Sequence, residues 1–147
     1  MKLSTKGRYS TRAMLDLAVH FGEGSIQAKD IAERQQISAR YLQQLFGPLR
    51  LHGLVKSIRG AEGGFVLAKP PAEIQLGDVI RAAEGSASLI ECAHHPENCD
   101  QSDVCVTRQV WVELEKATSK MVDSISLQDL LDRHNNQKKK LESVYRG

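Results

Sequence analysis

The sequence predicts a mainly α-helical fold with one small β-hairpin and a long helix near the C-terminus. Apolar residues recur at helical spacing through most of the chain, which predicts the helices. Two short β-type segments flank a glycine-rich connection at 59–64, which predicts the hairpin. Hydrophobic residues make up 41% of the 147-residue chain and aromatic residues only 5%, so we expect an aliphatic core. This length suits one domain, or one domain with a dimerisation extension.

Three helices are predicted before residue 53. The first spans 10–21 with Ser10 as its N-cap, and the second spans Ala28–Gln35. After a tight turn at Gln36-Ile37, Ser38 caps the third helix, which ends at Gly53. The apolar stripe of the third helix consists of Leu42, Leu45, Phe46 and Leu49.

Two residues do not suit this pattern. Gln36 lies in the turn, where a left-handed backbone usually requires glycine, and we expect it to cost about 1–2 kcal/mol. Pro48 follows Gly47 inside the third helix, where it removes one backbone hydrogen bond and is expected to kink the helix. The first turns of that helix, at 38–44, precede the kink.

The hairpin strands are predicted at 54–58 and 65–68, and Pro70-Pro71 marks a break before a helix at 74–83. Residues 86–102 show no convincing period. A long helix is predicted at 103–124, and a short one from 126 to Leu131 precedes a frayed tail at 136–147. Heptad spacing on the long helix suits packing against a partner helix. The residues with this spacing are Val104, Trp111, Thr118 and Ile125, with Leu114 and Met121 between them.

Two short helices joined by a tight turn and followed by a hairpin are typical of a winged helix-turn-helix. We therefore expect this unit at 1–70, a linking helix with a cysteine loop at 71–102, and a dimerisation helix with a short terminal helix at 103–135. Residues 1–70 carry eleven Lys/Arg against five Asp/Glu, a net charge of +6, whereas residues 71–147 carry nine against thirteen, a net charge of −4. A basic half joined to an acidic half indicates that one end faces a polyanion.

The outward face of the third helix predicts binding to double-stranded DNA. Arg and Gln pair with base edges in the major groove, and residues near the start of the second helix of this motif reach bases. Each such side chain taken alone is more often simply solvated, but fold, charge and residue type agree here. The predicted contacts on this helix are Arg40, Tyr41, Gln43, Gln44 and Arg50, and those on the hairpin are Lys56 and Arg59. Phosphate contacts are predicted for Lys2, Lys6, Arg8 and Arg12.

Three cysteines, Cys92, Cys99 and Cys105, lie within fourteen residues. An odd number of thiols argues against a disulfide framework. Thiolates bind soft metals, and this spacing lacks the tight knuckle of most zinc sites, which favours an iron–sulfur cluster. With His94 or His95 the set also suits zinc, and bare redox thiols are a further alternative. The surrounding Glu91, Glu97, Asp100 and Asp103 are expected to raise the thiol pKa values.

Several segments together resemble the IscR-like family of bacterial winged-helix regulators. They are Met1-Lys2-Leu3-Ser4-Thr5-Lys6-Gly7-Arg8-Tyr9, Ala13-Met14-Leu15-Asp16, Ile31-Ala32-Glu33-Arg34-Gln35, Tyr41-Leu42-Gln43-Gln44-Leu45-Phe46, Gly53-Leu54-Val55 and Arg59-Gly60-x-x-Gly63-Gly64-Phe65. The resemblance extends to about Leu131 and includes the three cysteines. It implies a homodimer built on the long helix and a 2Fe-2S cluster on Cys92, Cys99 and Cys105. In the family this cluster senses iron–sulfur status, nitric oxide or redox poise and tunes the affinity for the operator.

The fourth cluster ligand is where this sequence departs from the family. Some members use a His three residues after the third Cys, a position held here by Arg108. Others use an acidic residue near the N-terminus, and the matching position is Arg8. His94 or His95 is therefore the expected fourth ligand, with Glu97, Asp103 or a small external thiol as alternatives and loop histidines without a ligand role as the plain interpretation.

Other classes of function are not expected. No apolar run is long enough to span a bilayer, and the basic start leads into no signal-peptide segment, so we expect a cytoplasmic protein without membrane contact. No nucleophile–base pair or phosphate-binding loop indicates an enzyme or a small-molecule substrate. The alternatives are a cofactor-free regulator responding to thiol state or a protein partner, a zinc-stiffened interaction module, and an iron–sulfur electron carrier, which would not need the basic half.

Overall fold

The computed structural model describes residues 3–85 and 91–146. Within these ranges it confirms the predicted class, a mainly helical fold with one two-stranded antiparallel hairpin. The elements are α1 (Thr5–Val19), α2 (Ala28–Gln35), α3 (Ala39–Leu51), β1 (Val55–Ile58), β2 (Gly64–Leu67), α4 (Leu76–Glu84), α5 (Glu91–His94), α6 (Val106–Asp123) and α7 (Leu127–Arg146). Short 3-10 turns occupy Pro71–Glu73 and Pro96–Asn98. None of the described helices is long and apolar enough to cross a bilayer.

The first helix begins earlier than predicted. The Ser4 hydroxyl, rather than that of Ser10, accepts a hydrogen bond from the Gly7 backbone N–H at 3.0 Å and caps α1. Ser10 is fully buried in the second turn of this helix. The N-cap prediction for Ser10 is therefore wrong, because Ser4 supplies a cap one and a half turns upstream.

The helix-turn-helix follows the prediction closely. Helix α2 has the predicted bounds, and Gln36 adopts the left-handed backbone conformation with φ 56° and ψ 46°. The Ser38 hydroxyl then accepts from the Tyr41 N–H at 3.0 Å and caps α3, as expected. Helix α3 continues through Pro48 to Leu51.

The hairpin packs against the loop that joins α1 to α2. Val55 pairs with Leu67 and Ile58 with Gly64. Ile26 and Phe65 exchange two backbone hydrogen bonds of 2.9 and 2.8 Å, which adds a third short chain segment beside β2. A Cβ atom at Gly64 would collide with the Ile26 carbonyl, so this close approach requires glycine.

One aliphatic core joins these elements. The Phe46 ring of α3 packs against the Phe65 ring of the hairpin, with the ring centroids 4.4 Å apart. The core is made by α1, α2, α3, the hairpin, α4 and the first turn of α7. Its buried residues are Ala13, Met14, Leu17, Ala18, Ile31, Ala32, Leu42, Phe46, Leu49, Leu54, Val55, Phe65, Leu67, Ile74, Val79, Ala82 and Leu127.

An ion pair with a buried carboxylate joins α2 to α1. The Asp16 side chain is only 4% exposed and accepts from Arg34 Nε at 3.0 Å and Nη2 at 2.8 Å. Gln35 Nε2 donates to the same carboxylate at 3.0 Å. The hydrogen bonds that Arg34 donates to the Asp16 carboxylate are the main reason that the pKa of Arg34 is raised. The carboxylate is thus satisfied by three donors from one helix.

The C-terminal elements differ most from the sequence prediction. Helix α6 begins at Val106 rather than 103, and α5 and a 3-10 turn lie in a segment that showed no period. The predicted short last helix and frayed tail are wrong, because α7 continues to Arg146. Residues 132–140 contain neither Gly nor Pro, the two residues least compatible with a helix interior, so the helix is not broken there.

Replacing Asp16 tests the importance of the buried pair. Asp16→Ala is expected to lower the free energy of unfolding by about 2–4 kcal/mol, because three hydrogen bonds to a buried carboxylate are lost. Asp123→Ala is a matched control, since the Arg81–Asp123 pair has a similar contact of 2.6 Å but 40% and 44% exposed side chains. The control is expected to cost less than about 1 kcal/mol. Equal losses in urea unfolding would contradict this ranking.

The start of α7 predicts a pH dependence. Ser126 donates its backbone N–H to Asp129 Oδ2 at 2.9 Å, and its hydroxyl accepts the Asp129 N–H at 3.0 Å. The Ser126 N–H lowers the pKa of Asp129 below its ordinary value of 3.8. This contribution to stability is complete above that value and is lost as the pH falls through the lower folded-state pKa. Asp129→Ala should lower the unfolding midpoint at neutral pH but not below the folded pKa; an equal loss across this range would contradict the assignment.

Candidate nucleic-acid interface and cysteine loop

Helix α3 presents one polar face because its opposite face is buried in the core. Leu42, Leu45, Phe46 and Leu49 lie inward and have almost no exposed surface. The predicted reading residues Arg40, Gln43 and Gln44 are exposed, as is Arg50 near the end of the helix. The side chains of these four residues are therefore accessible to a DNA duplex that lies against α3. This arrangement suits hydrogen bonding to base edges and phosphates.

Tyr41 has different surroundings from its neighbours on α3. It is half-buried, and its ring meets the Tyr9 ring of α1 edge-on with centroids 6.0 Å apart. The Arg12 guanidinium lies 4.9 Å above the Tyr9 ring and donates to the Gln35 side chain at 3.0 Å and to the Gln35 carbonyl at 2.9 Å. Tyr41 is thus placed as a support of α3, and Arg12, predicted to contact phosphate, also joins α1 to α2. The sequence pattern alone does not indicate a role for Tyr9, because that role depends on its packing against Tyr41 and Arg12.

The other predicted DNA contacts lie around α3 on the same N-terminal unit. Lys6 and Arg8 are exposed on α1, and Lys56 and Arg59 are exposed on the hairpin. Ser25 donates its hydroxyl to the Glu62 carbonyl at 2.6 Å, which ties the hairpin tip to the loop after α1. Lys2 lies outside the described residues. Their exposure leaves these cations accessible to a phosphate backbone.

The cysteines lie on the consecutive short segments that lead into α6. Cys92 lies in α5, Cys99 follows the second 3-10 turn, and Cys105 is the N-cap residue of α6. Cys92 and Cys105 are partly exposed and Cys99 is exposed. Arg108 of α6 donates its Nε–H to the Cys92 carbonyl at 2.9 Å, which holds α5 beside α6. Arg108, which holds the position where some members of the family have a histidine ligand, therefore makes a structural contact instead.

The thiol environment differs from the one expected from nearby acidic residues. Thr107 Oγ1 lies 3.1 Å from Cys105 Sγ and, with backbone N–H groups at the start of α6, lowers the pKa of Cys105. The Arg108 cation contributes in the same direction. The prediction that the acidic residues raise the thiol pKa is therefore wrong for Cys105. Local hydrogen bonds to the thiolate outweigh more distant carboxylates.

The donor set fits an iron–sulfur cluster in kind, since three accessible thiols lie on short segments around one loop. Within the described residues, however, no three Cys, His, Asp or Glu side chains converge to hold a metal ion. His95 Nδ1 lies 3.0 Å from Glu97 Oε1, which leaves Nε2 available. Carboxylates often orient metal-binding imidazoles in this way. The His94 side chain lies outside the described residues.

Helix α6 carries an apolar face that the other described residues leave largely uncovered. Trp111 is 40% exposed and Met121 is 63% exposed, while Leu114 and Thr118 are half-buried. Other exposed apolar residues on or next to this helix are Val104, Val106 and Val110. The heptad residues predicted to meet a partner helix are therefore accessible along most of α6.

Comparisons with known proteins agree with this geometry. The HTH-type transcriptional regulator IscR of Aliivibrio salmonicida is 46% identical over 131 residues, covering 89% of this chain and 77% of that protein. The solved structure of T. potens IscR matches with a TM-score of 0.75 and 47% identity over 91% of this chain and 88% of the other. CymR (YrzC), the global cysteine regulator of B. subtilis, matches with a TM-score of 0.76 and 41% identity over 90% and 98%.

The Rrf2 family, described as an iron-dependent transcriptional regulator, matches residues 3–133. This range includes the reading helix, the hairpin, all three cysteines and helix α6. The relatives named above are described as regulators rather than enzymes, and the IscR protein of Aliivibrio salmonicida as an HTH-type transcriptional regulator. The chain therefore belongs to the Rrf2 family of transcription regulators and has a DNA-binding winged-helix fold.

Proposed function

We propose that this chain is a homodimeric transcription regulator whose affinity for its operator is tuned by a 2Fe-2S cluster on Cys92, Cys99 and Cys105. The observation that carries the proposal is the position of the cysteines at the start of α6. Cys105 is the N-cap residue of this helix, and Arg108 of the same helix donates to the Cys92 backbone carbonyl. A cluster at these thiols would act directly on the helix that presents the uncovered apolar face.

In this proposal the N-terminal half binds duplex DNA. Helix α3 enters the major groove, with Arg40, Gln43 and Gln44 at base edges and Tyr41 supporting the helix. Lys56 and Arg59 place the hairpin on the phosphate backbone or in a narrow minor groove. Further phosphate contacts come from Lys2, Lys6, Arg8 and Arg50. As a regulator of transcription the protein would act in the cytoplasm, where bacterial DNA lies.

The dimer would form along α6. Covering Trp111, Met121 and their neighbours with a second copy of the helix removes exposed apolar area from water. Two reading helices related by a twofold axis then match an operator with two half-sites about one helical turn apart. Because this spacing tolerates little mismatch, a change at the start of α6 would alter operator affinity.

When bound, the cluster would supply a redox- and nitric-oxide-sensitive centre. The three cysteines provide three ligands, and His94 or His95 is the proposed fourth. Glu97 supports the choice of His95 because it holds Nδ1 and leaves Nε2 free. Arg108 cannot ligate, and its contact with the Cys92 carbonyl instead keeps α5 and α6 together.

Replacing Gln43 or Arg40 by Ala should relax sequence discrimination. Loss of a paired hydrogen bond to one base is expected to cost about 1–3 kcal/mol on the cognate operator only. Lys6→Ala is the matched control, because loss of a phosphate contact should weaken cognate and random duplexes equally and reduce the salt slope by about 1. Fluorescence anisotropy with both duplexes at several salt concentrations measures this. Uniform weakening by Gln43→Ala and Arg40→Ala would contradict base reading.

The cluster is tested by anaerobic purification with absorbance, iron and sulfide assays. Cys92→Ala, Cys99→Ala and Cys105→Ala together should abolish the absorbance, and His95→Ala should shift it if this residue is the fourth ligand. Removing the cluster is expected to change operator affinity by about 5- to 150-fold, the usual size of a coupling between two sites. Unchanged affinity in the loaded protein, the cluster-free protein and the triple variant would refute the sensor role.

A second candidate is a cofactor-free regulator that responds to thiol state or to a protein partner. It is favoured by the lack of convergence of the three thiols among the described residues and by the similarity to a global cysteine regulator. The same experiment separates the two candidates. Protein that is colourless and free of iron after anaerobic purification from iron-replete cells, yet still binds its operator, would establish this second function.

A further inference from the structure

A small cavity lies between α1 and the reading helix α3. Its volume is about 90 Å³. The residues that line it are Lys6, Ser10, Tyr41, Gln44, Leu45, Pro48 and Ala83. Because Gln44 and Lys6 are also proposed to contact DNA and Tyr41 to support α3, the cavity lies next to the reading face.

Ser10 places an unsatisfied polar group at this cavity. The residue is fully buried, and its hydroxyl oxygen has no hydrogen-bond partner among the described residues. The adjacent Thr11 behaves differently, since its hydroxyl donates to the Gly7 carbonyl at 2.8 Å. A buried hydroxyl without a hydrogen-bond partner is rare and lowers the free energy of unfolding. We therefore expect the Ser10 hydroxyl to have a partner in the folded protein.

Pro48 creates a matching acceptor on α3. In an α-helix the carbonyl of Gln44 would accept from the backbone N–H of residue 48, and proline has none. Gln44 and Pro48 lie one turn apart and both line the cavity. The residue with the unsatisfied hydroxyl on α1 and the residue whose carbonyl loses its usual donor on α3 therefore line the same cavity.

We infer that this cavity binds an ordered water molecule that joins the two helices. The Ser10 hydroxyl donates to the water, and the water donates to the Gln44 carbonyl. One water occupies about 30 Å³ in the liquid, so the cavity has room for it, and the site offers the polar partners that a buried water needs. This water takes the place of the N–H that Pro48 removes.

Ser10 is then a positioning residue for the reading helix, and this consequence rests on the proposed DNA binding. The bridge fixes the turn of α3 that carries Gln43 and Gln44 relative to α1. Losing it would loosen these side chains without removing any group that touches DNA.

Ser10→Ala separates a hydrated cavity from a dry one by the sign of its effect. In a dry cavity the substitution removes an unsatisfied hydroxyl and should raise the urea unfolding midpoint. With a bridging water it removes a hydrogen bond and should lower the midpoint. Thr11→Ala is the control for loss of a hydroxyl on the same helix. A raised midpoint in Ser10→Ala, or a high-resolution crystal structure of the full chain without density between Ser10 Oγ and the Gln44 carbonyl, would overturn the inference.

A double-mutant cycle with Pro48→Ala tests the bridge itself. Alanine restores the N–H to the Gln44 carbonyl, so the cost of Ser10→Ala should shrink in that background, whereas the effect of Thr11→Ala should not change. Operator affinity should fall about fivefold in Ser10→Ala, the equivalent of one hydrogen bond, with a smaller fall on random duplex. Additive effects in the cycle would overturn the bridge. A wild-type chain without sequence preference would refute the proposed function, while the stability cycle still decides the water site.

Discussion

The buried carboxylate of Asp16 is the constraint on which the DNA-reading unit depends. A carboxylate that is 4% exposed has to be paired, and its three hydrogen bonds all come from the last two residues of α2. Pairing therefore fixes the end of α2 against α1. Since only the short turn with left-handed Gln36 separates α2 from α3, the position of the reading helix follows from this pair. The aliphatic core supplies most of the stability, and the ion pair selects the arrangement of the helices.

A continuous set of polar contacts leads from the cysteine loop to this unit. Cys105 caps α6, and the other end of α6 carries Asp123, which binds Arg81 of α4 at 2.6 Å. Glu84 at the end of α4 accepts from the backbone N–H and the hydroxyl of Ser4 at 3.0 and 2.6 Å, at the start of α1. A displacement of α6 thus has physical contacts through which it reaches α1. Such contacts form a physical route by which the cysteine loop can be coupled to the DNA-reading unit.

Features that follow from helical periodicity and adjacent side chains were predictable from the sequence. Features that depend on distant residues or on the folded geometry were not. The bounds of α2 and the cap at Ser38 follow from periodicity and a neighbouring side chain. The true start of α1 does not, because Ser4 is held by Glu84, eighty positions away in the sequence. In the cysteine loop, the residue types predicted the donor set, but a count of nearby acids gave the wrong direction for the pKa of Cys105. That pKa depends on the hydrogen bond with Thr107 first and on the backbone N–H groups of Arg108 and Thr107 next, and only the folded start of α6 provides these partners.

Arg108 limits how much of the loop's order a cluster can supply. Its guanidinium already joins α6 to α5 through the Cys92 carbonyl, so two of the three cysteine-bearing segments are held together by the protein alone. A ligand shifts a conformational equilibrium only by the difference in its affinity for the two states. Segments that are already ordered before the cluster binds gain no further order when it binds. In the proposed mechanism the regulatory effect of a cluster would therefore come mainly from the remaining segment around Cys99 and from the geometry that the cluster imposes at the start of α6.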